Sequence, residues 1–191
     1  MAKTNADIIR KYLMETEREG MADLLDYMAE IGFLTAPCSG SYHLAKEGGL
    51  AEHSVNVLEY ADKLASKWLP TEEYKKMFPS IVICSLLHDL GKCGDFGKAN
   101  YVPNKLKSGE LSAAKPYKTN PDLLYVDHEI RSIKIAAMFI DLTEEEEFAI
   151  LYHNGMYGNL KYAIQGKETP LYMIIHFADM WASKVVEAQK K

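Results

Sequence analysis

The segment Ser85–Phe96, SLLHDLGKCGDF, sets a histidine beside an aspartate directly after an apolar run. A second aspartate, Asp179, stands among Ile, Phe and Met in MIIHFADMWASKV. Burying a carboxylate is expensive unless a cation or hydrogen-bond donors neutralise it. Histidines recur at comparable places. His53 shares a helical stripe with Val57, Ala61, Leu64 and Trp68, His128 opens a helical segment, and His153 closes another just before Asn154 and Gly155. Taken singly, each imidazole reads more readily as a hydrogen-bonded core residue than as a ligand. Taken together, neutral imidazoles and carboxylates from several helices can converge on a divalent metal inside a bundle. Mixed nitrogen and oxygen ligation suits Mn, Fe, Ni, Co or Zn and is unlike a cysteine-rich structural zinc site. Adjacent residues such as His88 and Asp89 cannot aim at one point on a straight helix. At a helix end both can reach one ion, and Asp89 can bridge to a second.

These residues need helices to carry them, and helical periodicity dominates the chain. Thr4–Arg18 opens with Thr-x-x-Asp, close to a capping box, and stops at Gly20. Met21–Phe33 presents Leu24, Leu25, Met28 and Ile31 on one face, and Leu50–Leu69 carries the His53 stripe. Pro79 suits the first position of a short buried helix, PSIVICSLLHDLG. Val126–Ile140 reads as helix. Thr143 begins a capping box, TEEEEF, and leads a helix to His153; Thr169 and Pro170 start the last helix, Leu171–Ala188. The run Glu144–Glu147 suits a solvated face that complements the helix dipole. Strand signals are weak, with a small hairpin expected around NYVPNK and LLYV inside the long segment 98–125. That segment holds Lys98, Lys105, Lys107, Lys115 and Lys118 against Glu110 and Asp122. It reads as a solvated loop or as a lid over a substrate. The expected fold is an all-α helical bundle, one domain over 1–191. Residues 1–45 supply N-terminal helices and a loop, 46–188 the core, and 98–125 an insertion.

His53, then His88–Asp89, then Asp179 resembles the H…HD…D signature of the HD-domain superfamily of metal-dependent phosphohydrolases. The surrounding blocks GGLAEHSVNVLEYA, SLLHDLGK, YVDHEIRSIKIA, ILYHNGMYG and PLYMIIHFADMW resemble that family in the same order. YHLAKEGGLAEHS looks most like stand-alone HD hydrolases and the HD domain of a bacterial 3′–5′ exoribonuclease. The resemblance implies that His53, His88, Asp89 and Asp179 hold a first metal. His128 and His153 fall where related members hold a second, with Asp89 bridging; a single-ion site is the alternative. It also implies a substrate contact for His43.

A bound metal lowers the pKa of its water towards about 7, which makes hydroxide available at neutral pH. The function expected is hydrolysis of a phosphomonoester or phosphodiester by that hydroxide, with Asp89 and Lys92 in the chemistry. The substrate class is a nucleotide or a short nucleic acid. A non-catalytic module that senses metal and nucleotide is the alternative. Lys92, one turn after His88, suits a phosphate contact or a solvent-facing helix end. Glu129 suits contact with a metal's water or a place in an acidic first turn, and His176 would orient Asp179 or fill the core. Gly91 would let backbone approach the site or end a helix. Cys84 reads as core and Cys93 as a loop cysteine. Tyr101, Tyr117 and Tyr125 suit stacking on a base or packing of the loop.

Composition bounds the rest. The chain has 191 residues, 48% hydrophobic, and a formal net charge of -5. That length supports a sizeable core. An acidic chain has no global field for nucleic acid, so an anionic substrate needs a local site. Three cysteines in no CxxC pattern, no apolar leader at the N-terminus and no long apolar run predict a cytoplasmic protein without membrane contact. Oligomeric state leaves no mark on the sequence.

Overall fold

The computed structural model describes residues 3–159 and 161–188. Thr4 opens helix α1 (Asn5–Met14) through a reciprocal capping box with Asp7. The helix ends at Met14 rather than Arg18, and the Thr16 hydroxyl donates to Leu13 O at 2.6 Å in the next turn. That early stop turns Arg18 towards Glu146, at 2.8 Å. Gly20, with φ +81°, begins α2 (Met21–Glu30). Its left-handed backbone and a carbonyl of Phe139 packed against it leave no space for a side chain.

Two long helices come next, α3 (Gly49–Trp68) and α4 (Thr71–Leu87). Here one expectation fails. Pro79 lies inside α4, not at its start. Glu72 and Glu73 favour a first turn at Thr71, and the missing Pro79 N–H removes only one rung. Tight packing downstream, where Ile81 to Leu87 are all buried, holds the helix across the gap. Helices α5 (His128–Ala136), α6 (Glu144–Tyr152) and α7 (Pro170–Trp181) complete the bundle. The α5 span is shorter than 126–140. Helix α7 passes into a π-turn at Ala182–Val186 instead of continuing regularly to 188.

The molecule is mostly helical, with two small antiparallel sheets beside the helices. Strand β1 (Gly94–Asp95) pairs with β2 (Lys98–Ala99), and β3 (Tyr101–Pro103) with β4 (Tyr117–Thr119). The hairpin partner is therefore YKT and not LLYV. Leu123 is buried and anchors that stretch, while Leu124 and Tyr125 face solvent. The β3–β4 stem is fastened to the 36–48 loop by Tyr117 N–H donating to Gly40 O.

The apolar core forms two clusters. One gathers α1, α2 and α5 with Leu50, Leu58, Val82, Leu86 and Leu87. The other gathers α6 and α7 with Val57, Ala61, Ile81 and Cys84. Helices α3 and α4 contribute to both, and these two carry His53 and His88. No described helix is long and apolar enough to cross a membrane.

Candidate metal centre

Two helix C-termini deliver imidazoles in the same way. The last carbonyls of a helix have no intrahelical donor. His88 caps α4, and its Nδ1 lies 2.9 Å from Ser85 O; His153 caps α6, and its Nδ1 lies 2.8 Å from Ile150 O. Each ring satisfies a carbonyl three residues back and aims its Nε2 inward. After His88 the backbone leaves helical geometry: Asp89 has φ -103° and ψ 8° at the head of a 3₁₀ turn, Leu90–Cys93. That change of path lets two consecutive side chains reach one centre. Gly91 in this turn sits so close to α5 that a Cβ would meet His128 O at 2.2 Å, and its N–H donates to Ser132 Oγ at 2.8 Å. Its lack of a side chain brings His128, the first residue of α5, up to Asp89. His53 comes from the second turn of α3 and Asp179 from the last turn of α7.

Asp89 is the meeting point. Its Oδ2 lies 3.4 Å from His88 Nε2 and 3.5 Å from His53 Nε2. Its Oδ1 lies 3.1 Å from His128 Nε2 and 3.5 Å from His153 Nε2. One carboxylate thus stands between two imidazole pairs, one oxygen on each. Asp179 Oδ1 adds a contact of 3.1 Å to His53 Nε2, and the Nε2 atoms of His53 and His88 are 3.3 Å apart. His53, His88, Asp89 and His153 are almost wholly buried.

The outward sides of these rings decide their protonation. His88 and His153 face backbone carbonyls, His53 Nδ1 faces the Glu187 carboxylate at 3.0 Å, and His128 Nδ1 faces Glu129 at 3.3 Å. Carbonyls and carboxylates only accept, so each Nδ1 carries the proton. A ring that takes a metal at Nε2 would keep this Nδ1 proton and turn its other lone pair inward. Four Nε2 atoms and two carboxylates converge; Lys92 Nζ lies 2.6 Å from Asp89 Oδ2, and Asn154 Nδ2 lies 3.4 Å from His128 Nε2. Asp89 Oδ1 has no hydrogen-bond partner among the described residues. An unsatisfied buried acceptor costs about 1–3 kcal/mol. The donor set fits a divalent transition metal, and three triplets are close enough to hold one: His53–His88–Asp179, His88–Asp89–His153 and, behind His53, Cys38–His43–His53.

The titration behaviour has the same origin. Burial pushes Asp89 up, but Lys92, His88 and the facing rings outweigh it and hold the carboxyl well below its ordinary value. Asp179 is likewise held low, chiefly by His53 against the cost of burial. Burial lowers His53 and His153, yet Cys38, Asp179 and Glu187 raise the first, and Asp89 and Asp179 the second, above the ordinary histidine value. Burial leaves His88 below it. The centre demands positive charge.

No family model, curated protein or solved structure matches the chain.

Beside the centre lies a cavity of about 110 Å³, lined by His43, Lys92, Asn154, Tyr157, Asp179 and Lys184 among others. Lys92 is neither free nor solvent-facing: it is tied to Asp89 and also forms part of the cavity wall. His43 does reach this wall, but its Nδ1 is engaged with Glu187 at 2.6 Å. Glu129 holds His128 and accepts from Asn154 Nδ2.

Three expectations need correction. His176 does not orient Asp179: its Nδ1 donates to His153 O at 2.7 Å, and its ring lies against Gly155, where a Cβ would meet it at 2.3 Å. Cys93 is buried rather than a loop thiol, and burial raises its thiol. The Glu144–Glu147 run is not all solvated, because Glu146 is 0% exposed and paired with Arg18. Cys84 is core, as expected, and burial raises its thiol too. Tyr101 is partly buried while Tyr125 is exposed. Asn154, Lys184 and Glu187 also belong to this site or its support. Nothing local marks them, since their partners lie far away in the chain.

Proposed function

We propose that the chain is a metal-dependent phosphohydrolase of the HD type. The observation that carries this reading is the centre itself, where four imidazole Nε2 atoms and two carboxylates face one another. His53, His88, Asp89 and Asp179 would hold one ion, and His128 and His153 with Asp89 a second. A bound divalent ion supplies Lewis acidity there, drawing charge from a phosphoryl group and acidifying water. The chain's own groups do the rest. Lys92 and Lys184 put positive charge on the cavity wall for phosphate oxygens. Burial of the ligands excludes bulk water, so charges act through a low dielectric. Glu129 fixes both His128 and the Asn154 amide that faces the cavity. A cavity of about 110 Å³ suits a phosphoryl group with a small part of its ester. A nucleotide is the substrate class proposed from the family resemblance, and a short nucleic acid entering by its end is the other candidate.

The test is a panel of phosphomonoesters, phosphodiesters and nucleotides with added Mn²⁺. Turnover is expected with at least one class, and His88→Ala should abolish it. Metal binding without turnover across the panel would instead favour the sensor reading.

A further inference from the structure

Glu187 lies beyond the last regular helix, yet its carboxylate is among the most engaged in the molecule. It contacts His53 Nδ1 at 3.0 Å through both oxygens, His43 Nδ1 at 2.6 Å and Asn56 Nδ2 at 2.9 Å. Its side chain is 2% exposed. The π-turn at Ala182–Val186 puts it there. Glu187 N–H donates to Ala182 O at 2.9 Å, five residues back instead of four. One inserted residue rotates the downstream chain by about 100° about the helix axis. Such insertions persist where they serve a site. Here the turn swings Glu187 behind His53, and it leaves Lys184 on the cavity wall.

The four inward-facing rings are not supported equally. His88 and His153 rest on backbone carbonyls of their own helices. His128 rests on its sequence neighbour Glu129. His53 alone depends on a side chain from a distant part of the chain. A carboxylate behind Nδ1 fixes the ring's tautomer and makes Nε2 a stronger donor to a metal.

We propose that Glu187 is a positioning residue of the metal centre: it holds the Nδ1–H of His53 so that Nε2 faces the ion, and by gripping His43 it joins the cavity wall to that ligand. The proposal rests on the metal reading of the site. Glu187 touches no substrate and is not a catalytic residue.

Co²⁺ binding by the full-length chain tests it, read by chelator competition and by the cobalt absorption spectrum. Glu187→Gln keeps the shape and removes the charge. It should weaken Co²⁺ binding about 10–100-fold and shift the cobalt spectrum. A folded Glu187→Gln protein that binds Co²⁺ with wild-type affinity and spectrum would overturn the proposal. Wild-type protein that binds no Co²⁺ would overturn the metal reading itself. A second measurement avoids dependence on the variant's folding. In wild-type protein loaded with diamagnetic Zn²⁺, long-range ¹H–¹⁵N correlation should find the His53 proton on Nδ1. A proton on Nε2 of His53 would overturn the proposal.

Discussion

Two buried carboxylates of this molecule have opposite surroundings. Glu146 accepts from Arg18 at 2.8 and 3.0 Å, from Ser80 Oγ at 2.7 Å and from Thr143 N–H at 2.8 Å. Each neighbour is a donor, and the one formal charge is matched by one guanidinium. Asp89 meets four imidazole Nε2 atoms and the Lys92 ammonium, and one of its oxygens has no hydrogen-bond partner among the described residues. The first cluster is complete within the protein. The second sets one ammonium, Lys92, against the carboxylates of Asp89 and Asp179, and a metal ion is what its donor set would accept. The contrast separates a polar group that holds the fold from a group of polar residues that the fold holds ready.

Substitutions should divide along the same line. The largest stability effect is expected at the closed cluster: Arg18→Ala strands a buried carboxylate and should cost about 3–5 kcal/mol in denaturant unfolding. It should leave Co²⁺ affinity unchanged, and an equal loss of affinity would erase the distinction between the two clusters. Next in size is the effect of metal on stability. Free Co²⁺ at a hundredfold excess over its dissociation constant should add about 2.7 kcal/mol. That gain should appear in wild type and in Arg18→Ala, and His88→Ala at the same concentration should forfeit most of it.

The smallest effect is a pH dependence. Burial raises the Glu146 carboxyl, but Arg18, Thr143 and Ser80 outweigh it and hold it below its ordinary 4.5. A depressed carboxyl stabilises the fold fully above the unfolded value and loses that contribution as pH falls through the folded one. Metal-free wild type should therefore lose stability from about pH 4.5 downward more steeply than metal-free Arg18→Ala. Parallel acid limbs would show that the pair carries no such linkage.

The sequence displays what is local. The Thr4 and Thr143 capping boxes, the His53–Val57–Ala61 part of the stripe and the apolar run ending at His88–Asp89 all depend on neighbours within one or two turns, and each appears in the structure, whereas Trp68 at the end of the stripe is exposed. What it hides is set by distant partners. Glu146 looks like one more acid in an exposed first turn until Arg18 meets it from 128 residues away. Glu187 gives no sign of its role, since a π-turn fixes its direction and His53 lies 134 residues earlier. Pro79 misleads because a proline suits a helix start, and here packing carries the helix through it. The imidazoles could be grouped by type and spacing, but their tautomers are set only by the acceptors behind each ring.

The most direct measurement is the metal content of the protein purified without added metal. The account predicts at least one transition-metal ion per chain in wild type and none retained by His88→Ala. A folded wild-type protein that carries no metal, and takes up none when offered Mn²⁺, Fe²⁺, Co²⁺, Ni²⁺ or Zn²⁺, would contradict it.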